Sequence, residues 1–167
     1  MSKKITIIVP CYNAEDYIEK CVTSALDQDY DNCEVIVVDN DSADDSLEIV
    51  EELYNKRPEF ILDTVANIYP FSWQEPVEKA LSMFTGDYVT ILGADDYLAP
   101  DYVSNIVNFL ESSEEEILCF QSSIRSINKQ GEEQGGDLSN TYNNIEDLKN
   151  NLLEKCVVTT PSVVYSR

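Results

Sequence analysis

Short apolar runs alternate along the chain with longer segments in which apolar residues recur every three or four positions. The runs are rich in β-branched residues and are bounded by polar residues or proline, which is typical of buried strands in a parallel sheet. We predict strands at residues 4–10, 34–38, 60–62, 87–92 and 117–124, and a strand-like end at 157–167.

The segments with helical spacing predict five amphipathic helices. Their apolar faces are Ile18, Cys21, Val22, Ala25 and Leu26; Leu47, Val50 and Leu53 or Tyr54; Trp73, Val77, Ala80, Leu81 and Phe84; Val103, Ile106, Val107 and Leu110; and Ile145, Leu148 and Leu152. The predicted boundary residues are Asn13, Asp44 or Asp45, Ser72 with Glu75, Pro100 and Asn144 at helix starts, and Gly86 after the third helix. Strands that alternate with helices predict an α/β fold with a mostly parallel sheet flanked by helices.

Composition narrows the chemistry that this fold can carry. The 167 residues suit one domain, and 11 Lys and Arg against 32 Asp and Glu give a net charge of −21. Such a charge argues against binding to nucleic acid or to an anionic membrane, because the protein cannot neutralise a row of phosphates. The chain has no histidine, which excludes Ser-His-Asp and Cys-His catalysis and leaves carboxylates and hard metal ions.

The cysteines and the hydropathy pattern indicate a compartment. Five cysteines occur without a CxxC pair, so a zinc ribbon or a redox motif is excluded, and unpaired thiols favour the reducing cytoplasm. They are Cys11, Cys21, Cys33, Cys119 and Cys156. No window approaches the ~18 apolar residues of a membrane span, so we expect a cytoplasmic protein with no transmembrane segment.

Clusters that contain polar residues lie at the ends of three of the predicted strands, at residues 10–13, 39–41 and 95–96. Ligands of open α/β sheets bind outside the carboxyl ends of the strands, where these residues would meet. The phosphate-binding motifs GxGxxG and GxxxxGK[ST] are absent, and the first strand is not followed by the acidic pair of a receiver domain. The sequence therefore predicts another kind of ligand site at this edge.

Each candidate residue has a structural interpretation beside the functional one. Asp39 either completes a turn or accepts a hydrogen bond from a base or ribose, and Tyr12 is either a partly buried tyrosine or stacks on a base. Asp95 and Asp96 either cap the next helix or hold a divalent metal facing a diphosphate. Like charges about 4 Å apart repel by ~4 kcal/mol at an effective dielectric of about 20, so the metal interpretation requires Mg²⁺ or Mn²⁺.

Two strings of residues carry a family resemblance: ITIIVPCYNAEDYIEKCVTSALDQDYDNCEVIVVDNDSADDS at 5–46 and FTGDYVTILGADDYLAPDYV at 84–103. The first resembles the strand–PxYN–helix–strand–VDD/N-x-S-x-D-x-S pattern of family 2 glycosyltransferases. The second resembles the family's G-[ED]-Y-[IV]-x-x-L-x-x-D-D segment. The resemblance implies the GT-A fold, which is related to the Rossmann fold. It also implies an inverting, metal-dependent transferase, with bacterial surface polysaccharide synthesis as the expected pathway.

The resemblance also implies site residues, position by position. Pro10 and Tyr12 would lie beside the base, and Asp39 with Asn40 would contact base and ribose. Asp95 would lie near the ribose and the metal, and Asp96 would be the principal metal ligand. The implied cofactor is Mg²⁺ or Mn²⁺. The implied partners are a nucleotide-diphosphate sugar donor and a glycan or lipid-linked acceptor.

Three positions depart from the family pattern. Gly93 stands where many relatives carry the first Asp of an Asp-x-Asp-Asp string, and Asn40 stands where Asp is frequent. Val77 and Glu78 occupy positions that are often Arg-Asn. The last departure removes a positive group near the diphosphate, so we expect donor binding to depend more strongly on the metal.

The catalytic residues are not assigned. An inverting transferase needs a general base, which relatives place beyond the metal motif, and only Asp137 and Glu146 are left to consider here. We therefore interpret residues 1–167 as a single nucleotide-sugar-binding domain without the acceptor region, with any attachment to the inner membrane face made through other parts.

The alternative is a non-catalytic nucleotide-sugar-binding module of the same fold. A nucleotidyltransferase would need a glycine-rich, arginine-bearing loop where this chain has PCYNAED.

Overall fold

The computed structural model describes residues 2–67, 73–113, 119–121, 125–128, 132–133 and 163–167. The described strands form one six-stranded sheet in the order β3-β2-β1-β4-β6-β5. They are β1 Ile5–Cys11, β2 Cys33–Asp39, β3 Ile61–Thr64, β4 Tyr88–Ile91, β5 Cys119–Gln121 and β6 Val163–Ser166. The first four are parallel, whereas β6 runs antiparallel to both β4 and β5. The predicted α/β class with a mostly parallel sheet is confirmed.

Four described helices flank the sheet: α1 Ile18–Leu26, α2 Ser46–Lys56, α3 Gln74–Leu81 and α4 Tyr102–Ser112. The chain passes outward from β1 to β2 and β3, and β4 then returns to the other side of β1. Since parallel crossovers are right-handed, this reversal puts α3 on the opposite face from α1 and α2. The point of reversal, between the carboxyl ends of β1 and β4, is where ligands of such sheets bind.

Strand β1 is buried on both faces, which explains its unbroken apolar sequence. Ile5, Ile7 and Val9 belong to the larger core under α1, α2 and α4, while Ile8 belongs to the smaller core under α3. A proline is tolerated at position 10 because of the side toward which its backbone points. Leu92 N–H donates to the carbonyl of Ile8, so alternate residues of β1, which include Pro10, direct their backbone groups toward β4. Pro10 faces that side beyond the end of β4, where it interrupts no ladder of hydrogen bonds.

The predicted helix faces are confirmed for α1 and α4. Ile18, Cys21, Val22 and Ala25 are buried, as are Val103, Ile106, Val107 and Leu110. In α2 Val50 is buried, and of the two alternatives for the next position Leu53 is buried while Tyr54 is exposed. In α3 the prediction is wrong for Trp73 and Leu81, which are 62% and 41% exposed.

Three predicted helix boundaries are wrong. Helix α1 begins at Ile18 rather than next to Asn13, whose side chain accepts a hydrogen bond from another loop. Helix α4 begins at Tyr102, two residues beyond Pro100. Helix α3 ends at Leu81, so Gly86 does not terminate it.

Gly86 has a different physical role. A Cβ at this position would collide with Thr6 Oγ1 and would lie 2.9 Å from the Tyr88 carbonyl. Glycine is therefore required for the close approach of the α3–β4 turn to β1. The predicted Ser72 cap, the helix capped by Asn144, and most of the strand at 117–124 lie outside the described residues.

Within the described ranges, no helix combines the length and apolar composition needed to cross a membrane.

A hydrogen-bonded carboxylate fixes the α3–β4 turn at the amino end of the sheet. Glu34 on β2 accepts hydrogen bonds from Lys4 Nζ at 2.8 Å, from the Thr85 hydroxyl and N–H at 2.6 and 2.9 Å, and from the Thr6 hydroxyl at 2.9 Å. Burial by itself would raise the pKa of Glu34. The hydrogen bonds outweigh burial and lower that pKa from 4.5 to about 2. The ionised carboxylate therefore stabilises the fold.

We expect Glu34→Gln to lower the free energy of unfolding near pH 7 by about 1–3 kcal/mol, bounded by the size of the pKa shift. Because the folded pKa lies below the unfolded one, this stabilisation is complete above pH 4.5 and is lost as the pH falls toward about 2. Urea unfolding of both proteins across this range measures the difference. Glu52→Gln, at an exposed ion pair, is the control; an equal loss in both variants would contradict the prediction.

Candidate active site

The loops that follow β1 and β2 are held together by reciprocal hydrogen bonds. Asn13 N–H donates to Ser42 Oγ at 3.0 Å, and Ala43 N–H donates back to Asn13 Oδ1 at 2.8 Å. Ala14 N–H donates to Ser46 Oγ at 2.7 Å in a buried position. The backbone N–H groups of Asn13 and Ala14, which precede α1, are therefore satisfied by serine side chains that follow β2.

Carboxylates extend the same contact. Glu15 N–H donates to Asp44 Oδ2 at 3.1 Å, and Asp45 N–H donates to Glu15 Oε2 at 3.0 Å. Asp44 also accepts the Ser46 N–H at 3.0 Å. Burial opposes ionisation of Asp44, but its hydrogen bonds with Ser46 and Glu15 outweigh it and lower its pKa. We refer to these residues, 13–15 and 42–46, as the loop lock.

Two residues adopt left-handed backbone conformations beside the lock: Asn13 at φ 48° and Asp41 at φ 57°. Asn and Asp tolerate this region better than other non-glycine residues because their short side chains bond locally. The local sequence therefore matches the sharp turns that bring the two loops together.

Asp39 lies at the floor of this region and is only 1% exposed. Its oxygens accept the Ser42 hydroxyl at 2.6 Å and the Ser42 N–H at 2.9 Å. Asn40 is equally buried, and its N–H donates to the Cys11 carbonyl at 2.8 Å. Burial and the nearby charge of Asp39 raise the pKa of Cys11 to about 12, so this thiol stays protonated and is no nucleophile.

Pro10 and Tyr12 stand at the end of β1, and both are half-buried. Because Cys11 pairs with Asp39 in the register of β1 and β2, the structure brings Pro10, Tyr12, Asp39 and Asn40 to one edge of the sheet. Their contact with a nucleotide stays a prediction.

Asp95 and Asp96 follow β4 in an exposed turn closed by Asp96 N–H and the Gly93 carbonyl at 2.9 Å. A Cβ at Gly93 would lie 2.9 Å from Asp96 Oδ2 and 3.1 Å from Asp95 Oδ1. Both carboxylates therefore face the same small space, which a larger residue at position 93 would crowd.

The electrostatics of this pair suit a cation. Partial burial, and then the charge of Asp95, raise the pKa of Asp96, and a bound cation would relieve both effects. No group of three or more acidic or cysteine side chains gathers as a metal centre in the described part of the chain. The pair therefore fits Mg²⁺ or Mn²⁺ only if water and substrate oxygens complete the coordination, as Mg²⁺ prefers.

Helix α1 fixes the position of the acidic turn. The buried Cys21 thiol donates to the Gly93 carbonyl at 3.4 Å, and Leu98 N–H donates to Ser24 Oγ at 3.0 Å. Burial, with smaller contributions from Asp96 and other charges, raises the pKa of Cys21. The thiol therefore acts as a hydrogen-bond donor and packing group.

Sequence reasoning missed the loop lock. Ser42, Asp44 and Ser46 occupy alternate positions of the string DNDSADDS, and this regular spacing was the available signal. A separate groove of about 470 Å³ between α2 and β3, bordered by Leu47 and Tyr54, contains none of the predicted site residues.

The sheet order and the acidic turn beside its point of reversal define a GT-A-like fold. Residues 6–165 match the family model described as Glycosyl transferase family 2. The chain therefore belongs to glycosyltransferase family 2.

Three known proteins illustrate the likeness. A chondroitin synthase of Escherichia coli is 32% identical over 141 residues, which cover 83% of this chain and 19% of that protein. The mannosyltransferase PcManGT from Pyrobaculum calidifontis, solved with GDP-Man and Mn²⁺, is 29% identical with a TM-score of 0.62, covering 71% of this chain and 35% of that one. S. aureus TarS 1–349, solved with UDP-GlcNAc, is 21% identical with a TM-score of 0.64, covering 98% and 45%; this likeness concerns the fold alone. The chain spans less than half the length of each.

We expect Ser46→Ala to destabilise the protein by about 1–3 kcal/mol, because it leaves the buried Ala14 N–H without its acceptor. Chemical denaturation measures the effect. Ser112→Ala, at an exposed serine that bonds within its own helix, is the matched control and should change stability by less than about 0.5 kcal/mol. Equal effects at both serines would show that the lock does not stabilise the fold.

Proposed function

We propose that this chain binds the donor of a metal-dependent, inverting glycosyltransferase that moves a sugar from a nucleotide-diphosphate sugar to an acceptor hydroxyl. The observation that carries the proposal is the pair of carboxylates, Asp95 and Asp96, that converge over Gly93 beside the switch point of the sheet. A pair of this kind needs a cation before it can face a diphosphate. The related PcManGT was solved with both a nucleotide sugar and Mn²⁺, which supports the same pairing here.

In this proposal Asp96 is the principal metal ligand, and Asp95 serves the metal and the ribose. A divalent cation would supply Lewis-acid stabilisation of the departing diphosphate. Pro10 and Tyr12 flank the base at the end of β1. Asp39 contacts base or ribose through the lone pairs that Ser42 leaves available, since each carboxylate oxygen accepts more than one hydrogen bond; Asn40 assists from the next position.

The proposal treats residues 1–167 as one donor-binding domain. Its reaction needs a general base that removes the acceptor proton as the sugar is transferred. Asp137 and Glu146 lie outside the described residues, and we assign the base to neither. Binding of a donor without transfer by this chain would favour the alternative, a non-catalytic nucleotide-sugar-binding module.

The wider setting is also part of the proposal. A chondroitin synthase among the relatives supports a role in bacterial surface polysaccharide synthesis, with a glycan or lipid-linked acceptor. Cys11, Cys21 and Cys33 are free thiols, which supports a cytoplasmic location.

Calorimetric titration with UDP and GDP, each with and without Mn²⁺, tests the donor site. We expect one of them to bind only when Mn²⁺ is present. Asp96→Asn should weaken this binding at least about tenfold, because it removes an anionic metal ligand. Asp101→Asn, at the exposed start of α4, is the matched control and should bind like the wild type. Failure of every nucleoside diphosphate to bind with metal would refute the proposal.

A further inference from the structure

The charges of the proposed donor site do not balance without another cation. Asp95 and Asp96 carry two negative charges when ionised, and one divalent metal offsets only those two. The diphosphate of a nucleotide sugar brings two more negative charges to the same place. Since like charges at short range repel by several kcal/mol at intermediate dielectric, a further positive group near Asp96 would strengthen donor binding.

Nearly all the described basic side chains are engaged elsewhere. Ion pairs with carboxylates occupy Lys4, Lys56, Arg57, Lys79 and Arg125. Lys3 lies over the ring of Tyr88, the first residue of β4, and Arg167 lies over the ring of Phe84 in the turn that precedes β4. Each of these groups therefore already has a partner.

Lys20 is different. It lies in the first turn of α1, the end of the helix that follows the carboxyl end of β1. Within the described part of the chain, no carboxylate lies within ion-pair distance of its ammonium group. Instead, Lys20 Nζ lies 3.5 Å from the centre of the Tyr97 ring, and Tyr97 directly follows Asp96.

The position of Lys20 is fixed from two sides. Its neighbour Cys21 bonds to the Gly93 carbonyl at 3.4 Å, and Ser24, one turn further along α1, accepts the Leu98 N–H at 3.0 Å. These contacts hold α1 against the acidic turn. The cation–π contact with Tyr97 restrains the flexible lysine while leaving its N–H groups able to donate to an anion.

We propose that Lys20, positioned by Tyr97, binds the diphosphate of the donor beside the Asp95–Asp96 metal site. The inference rests on the proposed function and extends it to a residue that the family resemblance did not assign to the site. An ammonium group suits this role because it acts on phosphate oxygens as a point charge and does not need the fixed fork of arginine. It supplies, from α1, a positive charge that Val77 and Glu78 do not provide on α3.

The test compares UDP with UMP, or GDP with GMP, in calorimetric titrations of the full chain with Mn²⁺. We expect Lys20→Met to weaken binding of the diphosphate by about three- to tenfold and to change binding of the monophosphate much less. Lys20→Arg should retain most of the affinity. Tyr97→Phe should retain it as well, because the aromatic face remains, whereas Tyr97→Leu should weaken it. Lys56→Met, at an exposed ion pair on α2, controls for the loss of one positive charge.

The outcomes separate this inference from the proposed function. If the wild type binds no nucleoside diphosphate, the donor site itself is wrong. If the wild type binds and Lys20→Met binds equally well, the role of Lys20 is wrong while the donor site stands. Equal weakening by Lys20→Met and Lys56→Met, or equal weakening for diphosphate and monophosphate, also overturns the assignment. Unchanged circular dichroism of the variants shows that each has folded.

Discussion

The contact between the β1–α1 and β2–α2 loops is the constraint on which the candidate site depends. Each loop leaves backbone N–H groups ahead of a helix, and the side chains that satisfy them come from the other loop. Neither loop can therefore take its shape without its partner. The contact therefore fixes the loops that flank Tyr12 and Asp39, which lie at the carboxyl ends of β1 and β2.

The second half of the site is fixed by the placement of β4. At the amino end of the sheet, Glu34 binds Thr85 and anchors the turn that enters β4. At the carboxyl end, Leu92 bonds to Ile8, and Cys21 holds the Gly93 carbonyl. With both ends held, the acidic turn has one position relative to β1, which catalysis on a metal would require. The half-buried carboxylate of Glu34, far from the site, thus contributes to its geometry.

How far the sequence predicts this structure depends on the range of the interactions involved. The apolar runs of β1 and β2 and the stripes of α1 and α4 were predicted correctly, because burial on a sheet dictates a residue-by-residue pattern. Asn13 and Gly86 were misassigned because the groups they meet, Ala43 and Thr6, are distant in sequence. Local rules assign Asn to a helix cap and Gly to a helix end, whereas the tertiary contacts decide otherwise. The acidic turn was assigned correctly to the segment after β4 because the apolar run of that strand ends just before it in the sequence.

Because acidic residues outnumber basic ones, a basic residue without an ion pair indicates more about function than an acidic one does. With 32 carboxylates and 11 basic groups, an exposed carboxylate without a cation is the ordinary case, and it indicates no function. A basic residue in the same protein has almost three acids available to it. Lys3, Lys20 and Arg167 make no ion pair with a described carboxylate and lie over aromatic rings instead. Lys20 differs from the other two in its place, because its ring, Tyr97, directly follows the carboxylate pair. A cation held there, with N–H groups that can still donate, is what the proposed contact with a diphosphate requires.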